Sequence, residues 1–230
     1  MPVQRGYRQV CGVARGLDVV GERWALLVVR ELLLGPKRFT DLQAGMPGAS
    51  PNALSDRLRE LTDSGVIHRR RLAPPAATWV YELTDWGRGL EPIVLALGTW
   101  ALGKAPLASQ TFVSLDSVML TIRTYYTPPP ATGPNVRLRI RLVDDGVERG
   151  TFGVLLTATG ATVDHQSPDN PDATLTTSTT ELLAAFDRHQ LPDDDTRLDG
   201  DRDAVSRLVA GVTVPTPIPN GHNDQRSATR

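Results

Sequence analysis

Apolar residues recur at helical spacing through the first hundred positions of the chain and alternate through much of the second hundred. In residues 14–20, Ala14, Leu17 and Val20 stand three apart, which predicts a short amphipathic helix. Residues 24–34 are apolar on most sides, the pattern of a central helix enclosed by others, and Gly35-Pro36 stops it. Thr40 is placed to cap a short helix over residues 41–44, with Phe39 and Leu42 facing inward. After the turn Gly45-Met46-Pro47-Gly48, Ser50 supplies a capping hydroxyl and Pro51 the first helical position. Leu54, Leu58 and Leu61 then share one face as far as about Ser64, and Gly65 ends the helix in the left-handed region. Two β-prone runs, 66–72 and 78–83, flank Ala73-Pro74-Pro75-Ala76-Ala77 and predict a hairpin. Thr84 caps a leucine-rich helix from about Asp85 to Gly103. Short helix, turn, capped helix and hairpin, in that order, predict a winged helix-turn-helix.

Residues 117–126, 136–143 and 150–163 read as strands, with Val118, Leu120 and Ile122 alternating in the first and Leu138, Ile140 and Leu142 in the second. The turn-rich stretch 127–134 separates those two, and Asp144-Asp145-Gly146 turns the second into the third. A further strand is expected over 173–178, then a helix capped at Thr179 or Thr180 and ending near His189. Arg197-Leu198-Asp199-Gly200-Asp201 leads into a last helix to about Ala210. The expected fold class is α+β: a winged helix-turn-helix over residues 8–104, then an α+β domain over 110–214 with an antiparallel sheet, and a disordered tail over 215–230.

Composition narrows the function classes. Forty per cent hydrophobic and 22% charged residues are ordinary for a soluble globular protein. The longest apolar run, 24–34, is interrupted by Arg30 and Glu31 and is too short to span a bilayer. No apolar signal-peptide core follows Met1, so a cytoplasmic location with no membrane partner is expected. Cys11 is the single cysteine, which excludes an intramolecular disulfide and a multi-cysteine metal site. The formal charge of −1 hides an asymmetry: residues 1–104 hold 14 basic against 10 acidic residues, and the rest hold 11 against 16. The first half is therefore the one suited to a polyanion. His165, His189 and His222 are scattered, Asp193-Asp194-Asp195 reads as a solvated loop, and no glycine-rich phosphate loop follows a strand. No metal, no cofactor and no enzymatic activity are expected.

A helix that enters the DNA major groove carries short polar side chains to base edges from its first turns. The helix opening at Ser50 fits, because its leucine face leaves Asn52, Ser55, Asp56 and Arg59 on the other side. Asn52, Ser55 and Arg59 are candidates for bases or adjacent phosphates. Lys37, Arg38 and one or more of the wing residues Arg69, Arg70 and Arg71 are candidates for the phosphate backbone, and Thr40 and Ser50 are further candidates for DNA binding. Arg57, near the leucine face, is expected to pair with Glu60 or Glu31. A solvated helix face is the alternative reading of the same residues.

These residues, with Cys11-Gly12-Val13-Ala14, Gly21-Glu22-Arg23-Trp24, Arg30-Glu31-Leu32, Gly35-Pro36-Lys37-Arg38-Phe39, the run Leu54-Ser55-Asp56-Arg57-Leu58-Arg59-Glu60-Leu61 and Tyr81-Glu82-Leu83-Thr84, resemble the HxlR-type winged helix family of bacterial transcriptional regulators. The resemblance covers residues from about Val10 to Leu102. It implies a homodimer on double-stranded DNA, paired through the segment before Val20 and the helix ending at Trp100, with the fourth helix in the groove. It also places Cys11 where some members carry a cysteine that senses oxidants or electrophiles, and Arg8 and Arg15 are near enough to favour its thiolate. A small apolar residue at the dimer seam is the other reading of Cys11.

The second half resembles the sterol-carrier-protein-like fold through Pro171-Asp172-Ala173-Thr174-Leu175-Thr176, the capped helix with Leu182 and Leu183, and Leu198-Asp199-Gly200-Asp201. That resemblance implies an apolar space between helices and sheet and a hydrophobic small molecule as effector. The alternative is a filled core that adds only a dimer contact.

Overall fold

The computed structural model describes residues 6–102, 112–129, 133–191 and 197–215. Four helices come first: α1 (Gly12–Val20), α2 (Ala25–Leu32), α3 (Phe39–Gly45) and α4 (Pro51–Asp63). The strands β1 (Ile67–Arg71) and β2 (Trp79–Leu83) form an antiparallel hairpin, followed by α5 (Asp85–Arg88) and α6 (Glu91–Leu102). Lys37 bridges Tyr81 through its own N–H and carbonyl, at 3.0 and 2.8 Å, and adds a third short edge to the hairpin. That is the winged helix-turn-helix order the sequence predicts.

Two local details differ. Phe39 already opens α3, with Arg38 at the cap position. Asp41, in the first turn, accepts the Arg38 N–H at 3.0 Å, so Thr40 lies inside the helix and is not its cap. The expected single helix after Thr84 is broken into α5 and α6. Thr84 does cap, accepting from the Gly87 N–H at 3.0 Å. Pro92, however, has no N–H for the Arg88 carbonyl, and its ring would collide with that carbonyl in a continuous helix.

The second half begins with α7 (Leu115–Tyr125), where a strand was expected. Ser114 caps it by accepting the Ser117 N–H at 3.1 Å, and Val118, Met119 and Ile122 are buried at helical spacing. The strands β3 (Val136–Asp144) and β4 (Val147–Leu156) pair through the Asp145-Gly146 turn, both residues at positive φ. The run expected as one strand to Val163 is two, because Thr157 and Gly160 close a turn (N–H to carbonyl, 2.8 Å) before β5 (Ala161–Asp164). Next come β6 (Ala173–Thr177), α8 (Thr179–Arg188), β7 (Leu198–Gly200) and α9 (Arg202–Gly211).

The sheet order is β5-β4-β3-β6-β7, and it is mixed, not antiparallel: β6 runs parallel to β3. The chain reaches β6 by crossing the open sheet face, where Gly153 leaves no room for a Cβ beneath the Gln166 carbonyl and Arg139 donates to Ser167 and Pro168 at 2.5 and 2.6 Å. The three helices α7, α8 and α9 cover the other face. Leu138, Ile140, Leu142 and Leu175 of the sheet meet Leu182, Phe186, Val205 and Leu208, all buried. The helix α7 also packs on α2, so one buried core runs through both halves. The expected boundary at 104–110 and nearly all of the expected tail lie outside the described residues.

Ser178, not Thr179 or Thr180, caps α8. It accepts the Glu181 N–H at 3.1 Å while the Glu181 carboxylate accepts the Ser178 N–H at 3.3 Å. The Arg197 guanidinium, and then the Ser178 N–H, hold the Glu181 carboxyl down at about 2, from 4.5. A depressed acid stabilises the fold above its unfolded value and loses that contribution as pH falls. Acid titration of the wild type should thus show a loss of stability between pH 4.5 and about 2 that Glu181→Gln lacks. Ser178→Ala should cost about 1 kcal/mol in urea unfolding at neutral pH.

Candidate nucleic-acid interface

The helix α4 is built for one buried and one open face. Ser50 accepts the Ala53 N–H at 3.2 Å and Pro51 occupies the first turn, so the helix starts sharply. Leu54, Leu58 and Leu61 are buried against the first half of the molecule. Asn52, Ser55, Asp56 and Arg59, at positions i, i+3, i+4 and i+7, are exposed together. Arg59 is held by Asp56 at 2.9 Å but remains 64% exposed, so its guanidinium is available to a stronger anion. Ser50, Arg38 and Thr40 are exposed beside it. Arg57 pairs with Glu60 and lies 3.8 Å from Glu22; it does not reach Glu31.

The wing sorts its three arginines. Arg69 stacks over the Trp79 ring at 4.7 Å from its centroid, and Arg71 donates to the Ala77 carbonyl at 3.2 Å. Both contacts orient a guanidinium without cancelling its charge. Arg70 instead pairs with Glu82, which Arg88 also approaches at 3.4 Å. The hairpin therefore presents two uncompensated cations where the sequence counts three.

Lys37 is displaced from the set. Its backbone bridge to Tyr81 turns the side chain inward, where it is buried with Nζ 2.7 Å from Glu31 and 3.0 Å from Asp116. Both carboxylates are buried as well. Arg30 adds a second donor to Glu31 at 2.7 Å, and His165 Nε2 lies 3.1 Å from Asp116. This network ties α2 to α7 and to His165, just past the end of β5. Sequence reasoning missed Glu31, Asp116 and His165, since Asp116 precedes a segment that alternates like a strand and His165 stood alone. Gly45 is the one visible trace, because a Cβ there would strike the Glu31 carboxylate.

Cys11 is exposed at the start of α1, where the backbone N–H groups of Ala14 and Val13 hold its thiol below the ordinary range. Among the described residues no three His, Cys, Asp or Glu side chains gather as a metal site, and no helix is long and apolar enough to cross a membrane.

An apolar surface lies apart from these groups. The helix α6 has no buried residue, although it is largely apolar from Pro92 to Leu102: Leu97 is 45% and Trp100 76% exposed. On α1, Val13 is 71% exposed.

Comparison with known proteins places residues 19–107 on the model of the HxlR-like helix-turn-helix family. The HTH-type transcriptional regulator YvaP of Bacillus subtilis is 37% identical over 87 residues, which are 38% of this chain and 81% of that protein. The HTH-type transcriptional regulator YodB of the same organism is 31% identical over 84 residues, 36% of this chain and 75% of that protein. The solved structure of the redox regulator HypR in its oxidized form is 33% identical and covers 42% of this chain and 100% of that chain, with a TM-score of 0.40.

Proposed function

The chain belongs to the HxlR-like helix-turn-helix family of transcriptional regulators, and from that premise we propose that it is a homodimer that reads duplex DNA with α4 and is controlled through its C-terminal half by a small molecule. The open face of α4 carries the DNA reading. Asn52, Ser55 and Arg59 reach base edges or adjacent phosphates, while Arg38, Thr40, Ser50, Arg69 and Arg71 hold the backbone and set the register. Lys37 is withdrawn from this set by its burial, and Arg70 contributes less by its pairing with Glu82. The dimer is supported by α6 and α1, since a monomer seldom leaves such an apolar face in water. A two-fold dimer then meets half-sites roughly 34–36 Å apart.

Fluorescence anisotropy against the DNA upstream of the protein's own gene tests the reading. Asn52→Ala should cost about 1–3 kcal/mol at its own base position and relax preference there. Arg71→Ala should weaken all sequences alike and flatten the salt dependence, with Arg70→Ala doing so less. Equal affinity for every duplex, in wild type and variants, would sink base reading by α4.

The environment of Cys11 supports a second layer, in which its thiolate senses an electrophile. The folded wild type should then be alkylated by iodoacetamide faster than free cysteine at pH 7, because more of the thiol is ionised. Operator affinity should fall on modification, and Cys11→Ser should bind DNA while ignoring the reagent. A rate at or below that of free cysteine leaves Cys11 without a sensing role.

A further inference from the structure

A cavity of about 840 Å³ lies where the two halves meet. Ala44 and Gly45, at the end of α3, form one wall, and the first turns of α7 and α8 form the other. Its carboxylates are already answered. Glu31 holds Arg30 and Lys37, and Asp116 holds Lys37 and His165. Asp41 accepts the Arg38 N–H, and Asp144 accepts the N–H and hydroxyl of Thr179 at 3.0 and 2.9 Å. Lys37 is equally committed. Arg149 is not: it lines the cavity, is exposed, and has no hydrogen bond or ion pair among the described residues. Beside it Phe112 and Val113 are about half exposed, and Leu115, Phe152 and Leu183 continue the apolar lining.

We propose that this cleft binds a small organic anion, an apolar body of one or two rings bearing a single carboxylate or sulfonate. The anionic group meets Arg149, and the rings lie on Phe112, Val113 and Leu183. A cationic ligand would stand beside Lys37 and Arg149 and compete for carboxylates that already have donors. A wholly apolar ligand would leave Arg149 unused and bury polar groups without partners. The proposal rests on the regulator reading for its purpose, and it places the effector at the junction of the two halves. There α3, immediately before the recognition helix, and α7 and α8 share one ligand. Such a ligand alters DNA affinity only if it prefers one arrangement of the two halves.

The test titrates 1-anilinonaphthalene-8-sulfonate into the full chain, with N-phenyl-1-naphthylamine as the uncharged counterpart. The expected result is saturable binding of the anionic dye, weakened about tenfold or more by Arg149→Ala, the scale of one charge-assisted hydrogen bond. Arg149→Ala should leave the uncharged dye unchanged. Thr180→Trp, an exposed position on the cleft wall, should abolish binding of the anionic dye. Melting curves matching the wild type establish that both variants fold. Anionic-dye binding indifferent to either substitution, or absent from the wild type, overturns the proposal. DNA binding is scored separately on the same samples. If no duplex is bound but the dye results hold, the cleft stands and the regulator reading falls; the converse removes the cleft alone.

Discussion

Lys37→Met should destabilise the folded chain by about 3 kcal/mol in urea unfolding at neutral pH. Removing one partner of a buried ion pair costs about 3–5 kcal/mol, because the remaining charge is left in a medium that solvates it poorly. Here two carboxylates lose their shared cation. The low end applies, since Arg30 stays on Glu31 and His165 on Asp116. Methionine keeps most of the apolar stem, so the loss reports charge more than volume. The triple variant Glu31→Gln, Lys37→Met, Asp116→Asn should recover much of it, as neutral groups of similar shape leave no charge buried alone. A loss below about 1 kcal/mol, the scale of an exposed pair, would mean that water reaches the network. The same variant separates structure from DNA contact: with Lys37 inside, Lys37→Met should leave the salt dependence of operator binding as steep as in the wild type, whereas the loss of a phosphate contact would flatten it.

Leu97→Glu with Trp100→Glu should convert a dimer into a monomer and reduce operator affinity by about 10²–10⁴-fold. The second half-site is bound almost intramolecularly once the first is engaged, and that gain vanishes when the subunits separate. Neither side chain belongs to the buried core, so the monomer should keep its helical content. Light scattering at micromolar concentration measures the first effect and anisotropy the second. A double variant that remains dimeric would place the interface elsewhere, and a monomeric wild type would remove the dimer from the proposed function.

Much of the first half was legible because its signals are local. The Ser50 and Thr84 caps, the Leu54–Leu58–Leu61 face and the β1–β2 hairpin each depend on residues a few positions apart. So did the Asp145-Gly146 turn and the strands β3 and β6. The open face of α4 followed by subtraction, once its leucines were assigned to the core.

The residues around α7 show where local pattern stops deciding. Val118, Leu120 and Ile122 alternate like a strand, while Leu115, Val118, Met119 and Ile122 fit a helix equally well. Packing against α2 and β5 selects the helix, and neither neighbour is near in sequence. The parallel placement of β6 beside β3 is of the same kind, since nothing within either strand records which partner or direction it takes.

The fate of the charges divides along the same line. By itself the sequence determined the Ser50 and Thr84 caps, the Asp145-Gly146 turn, the two faces of α4 and the stock of cations on the wing. Only the tertiary structure decided that Lys37 goes inward, that Arg70 is neutralised while Arg69 and Arg71 are not, and that Glu31, Asp116 and His165 meet. Periodicity and capping are set by the geometry of a few consecutive peptide units. The environment of a charge is set by whichever segments dock around it, and those come from positions 31, 37, 116 and 165, which no local pattern connects.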